Sequence, residues 1–559
     1  MGLDTSRGVL TRVPTVLFQR FEPAFHSVAE AILVGIIMVV IAFPLEGTRA
    51  QEALAAQNGV ERGDVPGASD APLPTVSGGN LASLESSLVQ AIAKAELSVV
   101  AVSRVRRDRE PTDRTRLSPL RSFAMGGEST PLDPDFVPRF YGSGVIVSAD
   151  GYIVTCAHVV DDPRQYDYYV WHAGQGYTAE VVVTPAKVFA ADPFSDLAML
   201  KVDASGLSPI RFGDTTSLKK GQLVIALGNP EAVARDGRPS ASLGIVANLG
   251  RRAPAESGED SLVGRESLHE FGTLIQTDAR LGIGSSGGAL INTDGEMIGL
   301  LTSMVAIRGL ERPAGFAIAV DELFRRIVDR MKEGKLPEYG FLGIQPEDLR
   351  IAERQQGLRG ARVVNVIPGL PGQEAGLIPD DIIYRAAEMD IDSRNDLFLA
   401  LSRAQPGRTI PLHVYRINRQ TGLRNTVRLE ARLTKKYVAT RRPAYALHPP
   451  PQWRGLAVEY ATALPTDPFR RPIVAKAPLP HVAILSVERG SAAWEAGIRP
   501  GAGILSVEGN RIQSPEDFFQ QVAPLVGPVR LELLLTDGSQ TTVVLPDSVS
   551  PPAVDPQVP

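Results

Sequence analysis

The chain has 559 residues, enough at roughly 100–200 residues per domain for about three to five domains. Its 58 basic and 63 acidic side chains leave a net charge of −5, which excludes a strongly basic nucleic-acid binder, and 43% hydrophobic residues supply material for buried cores. A single cysteine, Cys156, excludes an intramolecular disulfide, a zinc ribbon and a Cys-ligated iron–sulfur cluster.

The first expected element is the apolar run Ala31 to Phe43. It is shorter than the roughly 20 residues a membrane-crossing helix needs, and Arg7, Arg12 and Arg20 precede it. Residues 1–50 therefore read as a signal peptide with a long leader, cleaved after Ala50, with an uncleaved membrane anchor as the competing reading. Both place the remainder outside the cytoplasm, periplasmic or secreted. Residues 51–80 are polar and Gly/Pro-dotted and read as a flexible linker. Leu81, Leu84, Leu88, Ile92 and Leu97 then recur near helical spacing, and the strand SVVAVSRV follows. The Pro-rich stretch from Arg106 to Pro138 reads as a long surface loop.

From Phe140 to about Val320, short apolar runs alternate with turn signals such as SADG and NTDG, a spacing that predicts an all-β barrel domain. Asp321 to Lys332 reads as a closing amphipathic helix. Two later segments, one from Gly360 and one from His481, resemble each other: strand, small-residue helix start, EAG-(L/I)-x-P, strand, turn, helix. They predict a duplicated module of about 90 residues. The expected boundaries are 81–335 for the β domain, 339–434 and 453–546 for the modules, 435–452 for a linker and 547–559 for a disordered tail.

Three segments of the β domain carry chemistry as an ordered set: Thr155-Cys156-Ala157-His158-Val159-Val160, Ser195-Asp196-Leu197-Ala198 and Gly284-Ser285-Ser286-Gly287-Gly288-Ala289. A serine hydroxyl needs a base to take its proton as it attacks, and imidazole has the nearest suitable pKa. The imidazolium that forms needs a carboxylate to fix its tautomer. Glycines beside the serine let backbone N–H groups converge on a developing oxyanion.

With Gly142-Ser143-Gly144-Val145-Ile146, Ala226-Leu227-Gly228-Asn229-Pro230 and Gly315-Phe316-Ala317-Ile318, these segments resemble the trypsin-like serine proteases, and closely the HtrA/Deg family. The resemblance covers roughly Leu81 to Pro546. It implies a mainly β chain: a trypsin-like double β-barrel protease domain followed by two small α+β PDZ domains. It implies His158 as general base, Asp196 as its carboxylate and Ser286 as nucleophile, with the N–H groups of Gly284 and Ser286 as the oxyanion hole. Asp192 is the competing carboxylate and Ser285 the competing nucleophile, whereas His172 has no motif around it and reads as a surface residue. The chain departs from the family at Ser285, where Asn is usual, and at Ile283, where Pro is usual, and residues 163–187 read as an insertion.

In the first PDZ module the resemblance implies a carboxylate-binding loop at Gly340, Phe341, Leu342 and Gly343, within Tyr339–Ile344. In the second it implies Trp453-Arg454-Gly455-Leu456. The family's P-G-D turn is divided between the modules: Pro379-Asp380-Asp381-Ile382 keeps the Asp and Pro500-Gly501-Ala502-Gly503 keeps the Gly. The second module is thus the weaker peptide binder.

The resemblance implies endoproteolysis of unfolded or misfolded proteins in the cell envelope; no P-loop is visible, in keeping with ATP-independent cleavage, and no cofactor or metal is expected. The alternative is a catalytically silent chaperone or peptide-binding scaffold. The resemblance also implies the partners: unfolded polypeptides, peptide C-termini and further copies of the chain, as trimers or multiples, with Phe136 and Phe140 as candidate contacts. Leu301-Thr302-Ser303-Met304, the expected pocket strand, offers no acidic residue for a basic side chain, which predicts cleavage after small apolar residues.

Overall fold

A computed structural model describes residues 78–107, 138–173, 181–229, 238–252, 267–302, 315–418, 421, 424–440, 442–464 and 480–547. The leader, residues 51–77, Phe136, Ser303, Met304 and the tail from 548 lie outside the described residues. No described helix is long and apolar enough to cross a membrane.

After helix α1 (Gly78–Ala95), strands β1 (Val99–Arg106), β2 (Phe140–Ile146), β3 (Tyr152–Cys156), β4 (Tyr166–Ala173), β5 (Val181–Asp192) and β6 (Leu197–Val202) pair in the order β5-β4-β1-β2-β3-β6, and a β5–β6 pairing closes them into a barrel. Residues read as an insertion thus supply two of its staves, β4 and β5. His172, read as a surface residue, pairs with Val182 across that hairpin and is buried, 6% exposed.

The second barrel is closed by β7 (Leu223–Gly228), β8 (Ser240–Arg251), β9 (Leu274–Thr277), β10 (Ala289–Ile291), β11 (Met297–Thr302) and β12 (Gly315–Ala319). Successive strand residues face opposite sides. Val100, Val102, Ile146 and Leu200 fill the first barrel, and Val224, Ile275, Leu290 and Ile298 the second. The alternate residues Val99, Val145, Met199 and Leu300 join a larger core that also takes in Ile225 and Leu274. Burial on both faces is why these strands read as continuous apolar runs. Helix α2 (Ala157–Val160) is a single turn directly after β3. Helix α3 (Glu322–Lys332) is capped by Asp321, whose carboxylate accepts the Phe324 N–H at 3.0 Å, and buries Leu323, Phe324, Ile327, Val328 and Met331.

The first repeat forms β13 (Gly340–Phe341), β14 (Ile344–Asp348), β15 (Ala361–Val366), β16 (Ile382–Ala386), β17 (Met389–Asp390), helix α4 (Arg394–Arg403), β18 (Thr409–Ile417), β19 (Arg424–Arg432) and β20 (Thr434–Lys435). Its main sheet runs β14-β15-β16-β18-β19, so β14 is an edge strand, while β13 pairs with β20. Next, β21 (Tyr445–Ala446) adds to β5 of the first barrel, so the stretch expected as a linker docks back on the protease domain. The second repeat comprises β22 (Gln452–Trp453), β23 (Leu456–Tyr460), β24 (Val482–Val487), β25 (Gly503–Val507), β26 (Asn510–Arg511), helix α5 (Pro515–Val522), β27 (Val529–Leu534) and β28 (Gln540–Leu545). The duplication extends to irregularities: β14/β15 shift register between Gln345 and Pro346, and β23/β24 shift between Ala457 and Val458.

Candidate active site

Strand β3 delivers Thr155 and Cys156 to the barrel rim, and α2 turns His158 into the junction. Asp161 ends that turn at φ 65. The half-buried Arg104 guanidinium fixes the turn from outside, donating to the carbonyls of His158 and Val159, both at 3.0 Å, and pairing with Asp161 at 3.2 Å. It lies 4.8 Å from the ring centroids of Phe140 and of Tyr166, so Phe140 has a role within the chain whatever else it touches.

Asp196 stands at the end of the β5–β6 turn with a left-handed φ of 55. Both its carboxylate oxygens lie 2.9 Å from His158 Nδ1, the His158 backbone N–H donates to Oδ1 at 3.1 Å, and the Thr302 hydroxyl donates to Oδ2 at 3.3 Å. Burial alone would push this carboxyl up, but the charge and hydrogen bonds of His158 outweigh it and hold Asp196 below the usual carboxylate range. An ionised carboxylate only accepts, so Nδ1 carries the proton and Nε2 is the basic atom. Nε2 is buried and makes no hydrogen bond here. Asp192 does not share this arrangement: its carboxylate accepts from the Tyr339 hydroxyl at 2.5 Å and the Ser195 hydroxyl at 2.7 Å.

The serine loop leads into β10 in the second barrel. Gly284 has φ 98 and Gly287 φ 86, conformations that favour glycine. Side chains would also collide there: a Cβ at 284 would lie 2.4 Å from the Asn229 carbonyl oxygen, one at 287 2.0 Å from that of Ser143, and one at 288 2.3 Å from that of Leu227. Ser285 N–H donates to Gly282, Gly287 N–H to Leu301 and Gly288 N–H to Ser285. The Ser286 carbonyl accepts the Ser143 N–H at 2.7 Å, which sets the loop against β2, and a Cβ at Gly142 would touch both that carbonyl and Val159 beside His158. The fold thus brings the three sequence-predicted segments to one junction. Ile283, where the family usually has Pro, is 75% exposed.

Spacing alone did not disclose the supports. Ser143 fastens the serine loop by donating to the Gly284 carbonyl and accepting the Asn229 N–H, both at 2.8 Å. Thr302 figures in the sequence only as a pocket-strand residue, and Arg104 and the buried His269 lie outside its motifs. Cys156, His158 and Asp196 place potential metal donors within 4.8 Å of one another, but Nδ1 is engaged with the carboxylate and burial pushes the thiol up, so the cluster suits proton handling better than ligation.

The two PDZ loops differ. In the first, Gly340 and Phe341 pair with Lys435 and Thr434, which leaves Leu342 and Gly343 to span from β13 to the edge strand β14. In the second, Arg454 at φ 50 and Gly455 at φ 83 fold the loop into a two-residue hairpin with Trp453 opposite Leu456. The Arg454 guanidinium, 7% exposed, donates to the Leu545 carbonyl and the Asp547 carboxylate, and Trp453 packs edge-on against Phe518 of α5.

The trypsin-like peptidase domain family matches residues 142–300, and PDZ domain families match 340–429 and 484–534. A probable periplasmic serine endoprotease, DegP-like, of Chlamydia trachomatis serovar D is 32% identical over 406 residues, 72% of this chain and 73% of the relative. The chain belongs to the HtrA/DegP family of serine endopeptidases. The like-named protein of Chlamydia pneumoniae is 34% identical over 383 residues, 67% of this chain and 70% of its own. A solved structure of the HtrA-type protease AlgW with a decapeptide aligns with 62% of this chain and 98% of its own at 25% identity and a TM-score of 0.44. Within this family the enzyme is a trypsin-like serine endopeptidase with two PDZ domains, and its substrates are polypeptides.

Proposed function

We propose that His158 is the general base, Asp196 its orienting carboxylate and Ser286 the nucleophile, with the N–H groups of Gly284 and Ser286 receiving the oxyanion. The observation that carries this reading is His158 Nδ1 held 2.9 Å from both Asp196 oxygens; an ionised carboxylate there takes the Nδ1 proton as its hydrogen bond and leaves Nε2 as the base at the junction where the Ser286 loop meets β2. Ser286 attacks the scissile carbonyl as Nε2 takes its proton. The acyl-enzyme forms as the amine leaves with that proton, and water then repeats the sequence.

The enzyme acts outside the cytoplasm, in keeping with relatives named periplasmic, on unfolded or misfolded polypeptides, without ATP and as a homo-oligomer. Leu301 and Thr302 begin an uncharged pocket wall that suits a small apolar residue before the scissile bond. The first PDZ module receives peptide ends at Gly340, Phe341, Leu342 and Gly343 and along the open edge of β14. The second, its loop folded into a hairpin and tied to Asp547, acts as a brace.

Incubating the full chain with a fluorophosphonate probe and an unfolded substrate tests the triad. The expected result is labelling at Ser286 that disappears in Ser286→Ala and His158→Ala. Absence of labelling with substrate present would leave the silent scaffold as the better reading.

A further inference from the structure

His269 lies outside every motif of the sequence. It is 1% exposed and sits on the short turn Leu268–Phe271 of the second barrel, where the Ser267 side chain caps the turn by accepting the His269 N–H at 3.2 Å. Its Nε2 lies 2.9 Å from the carbonyl oxygen of Ser195, and its Nδ1 lies 2.7 Å from the Thr273 hydroxyl. A carbonyl can only accept, so Nε2 carries the proton, and Nδ1 of the neutral ring accepts from Thr273. Burial pushes this imidazole below its ordinary value, which keeps it neutral. The titratable groups that act on it are Asp196 and His158, and Asp321 lines the same small cavity.

The Ser195 carbonyl belongs to the peptide that leads into Asp196. A left-handed φ at a non-glycine residue costs about 1–2 kcal/mol and persists only where its surroundings over-determine it. Three constraints come from the first barrel: the Ala157 N–H donates to the Asp196 carbonyl at 2.9 Å, the His158 N–H donates to the Asp196 carboxylate, and the Asp192 carboxylate accepts the N–H groups of Phe194 and Ser195. His269 supplies a constraint on the Ser195–Asp196 peptide from the opposite barrel. The other ties from that barrel, the Leu268 N–H to the Phe194 carbonyl at 2.8 Å and the Thr302 hydroxyl to the Asp196 carboxylate at 3.3 Å, do not hold the Ser195 carbonyl itself, so loss of the His269 bond frees that peptide to turn and Asp196 to move toward an ordinary φ.

We propose that His269 is a positioning residue of the protease: by holding the Ser195 carbonyl it keeps the Asp196 carboxylate aligned on His158. This rests on the assignment of Asp196 as the orienting carboxylate.

The test uses the full chain and its His269→Phe, His269→Gln, Thr273→Val and Asp196→Asn variants. It measures kcat and KM against pH on an unfolded polypeptide, the fraction of sites that label with fluorophosphonate, and the thermal midpoint. His269→Phe is expected to lower kcat per labelled site by about 10- to 100-fold with KM little changed. The acid limb of its profile moves to lower pH, because the His158 imidazolium loses its aligned partner. His269→Gln, whose amide N–H can reach the same carbonyl, recovers most of kcat. Thr273→Val, which removes the tautomer lock, shifts the limb the same way by less.

Parent kcat with an unmoved limb in His269→Phe overturns the proposal. So do equal losses in Phe and Gln variants with unmoved limbs, which mark lost packing only. If His269→Phe does not fold, the same criteria apply to the other two: a slow, folded His269→Gln together with a parent-like limb in Thr273→Val overturns it. Parent activity in Asp196→Asn would instead remove the assignment on which the proposal stands.

Discussion

Asp192, the last residue of β5, and Asp196, the last of the four-residue turn that follows, are 4% and 3% exposed, yet their environments push them in opposite directions. Asp196 faces an imidazole and is held below the ordinary range despite its burial. Asp192 faces only neutral donors: burial raises its carboxyl, and bonds from Tyr339 and from the side chain and backbone of Ser195 offset that only in part. Depth in the protein therefore does not set the role of a buried acid. The partner does: a group that becomes cationic during the reaction makes one a stabiliser of developing charge, and hydroxyls make the other a structural knot.

The sharpest way to break this comparison is Asp196→Asn. It keeps the shape but removes the charge and the tautomer control, and kcat is expected to fall about 10⁴-fold. Asp192→Asn should leave kcat within a few-fold of the parent. Its cost falls on stability, about 1–3 kcal/mol, because one of the two oxygens that accept from Tyr339, Ser195 and Phe194 is replaced by a donating NH2 group. Substrate kinetics and urea unfolding of both variants measure the contrast, and comparable losses of kcat would abolish it.

The two acids also predict opposite pH dependence. Asp196 has a folded pKa below its unfolded value near 3.8, so its contribution is present above that value and is lost as pH falls through the folded pKa. Asp192 has a folded pKa above 3.8, so its contribution is complete below that value and is lost as pH rises through the folded pKa. Relative to the parent, Asp192→Asn is expected to narrow its deficit as pH rises from about 4 upward, and Asp196→Asn to widen its deficit over its own, lower window. Denaturation midpoints across that range give both slopes, and slopes of the same sign would show that one environment governs both.

The sequence displayed the barrels because their strands are buried on both faces and punctuated by turn residues. It displayed His158, Asp196 and Ser286 because the chemistry demands those types in linked motifs. It did not display the groups that hold them. Ser143 and Gly284 are 141 positions apart and His269 and Ser195 74 apart, and a single contact across that distance leaves no period to read. The hairpin form of the second PDZ loop left no local sign for a different reason. A two-residue hairpin with positive φ ordinarily announces itself as Asn-Gly or Asp-Gly, whereas here Arg454-Gly455 adopts it, with the Arg454 side chain bound to Asp547. The stretch at 435–452 looked like a linker because β21 is only two residues long, too short for an alternation to register.

The smallest effect expected is that of Tyr339→Phe, and it sharpens the comparison most. Tyr339 immediately precedes the first PDZ loop, its hydroxyl donates to Asp192, its ring packs 4.9 Å from that of Phe194, and its carbonyl accepts the Lys436 N–H at 2.8 Å. Removing the hydroxyl leaves the ring contact, the Lys436 bond and the three Ser195 and Phe194 donors to Asp192, so the expected loss is about 1 kcal/mol of stability and little kcat. If Asp192 is only a knot, Asp192→Asn and Tyr339→Phe are coupled in stability and silent in turnover, and the double variant costs less than the sum of the singles. A drop in kcat for Tyr339→Phe as large as that for His269→Phe would show instead that the turn carries strain from Asp192 to Asp196, and that the two carboxylates work as one unit.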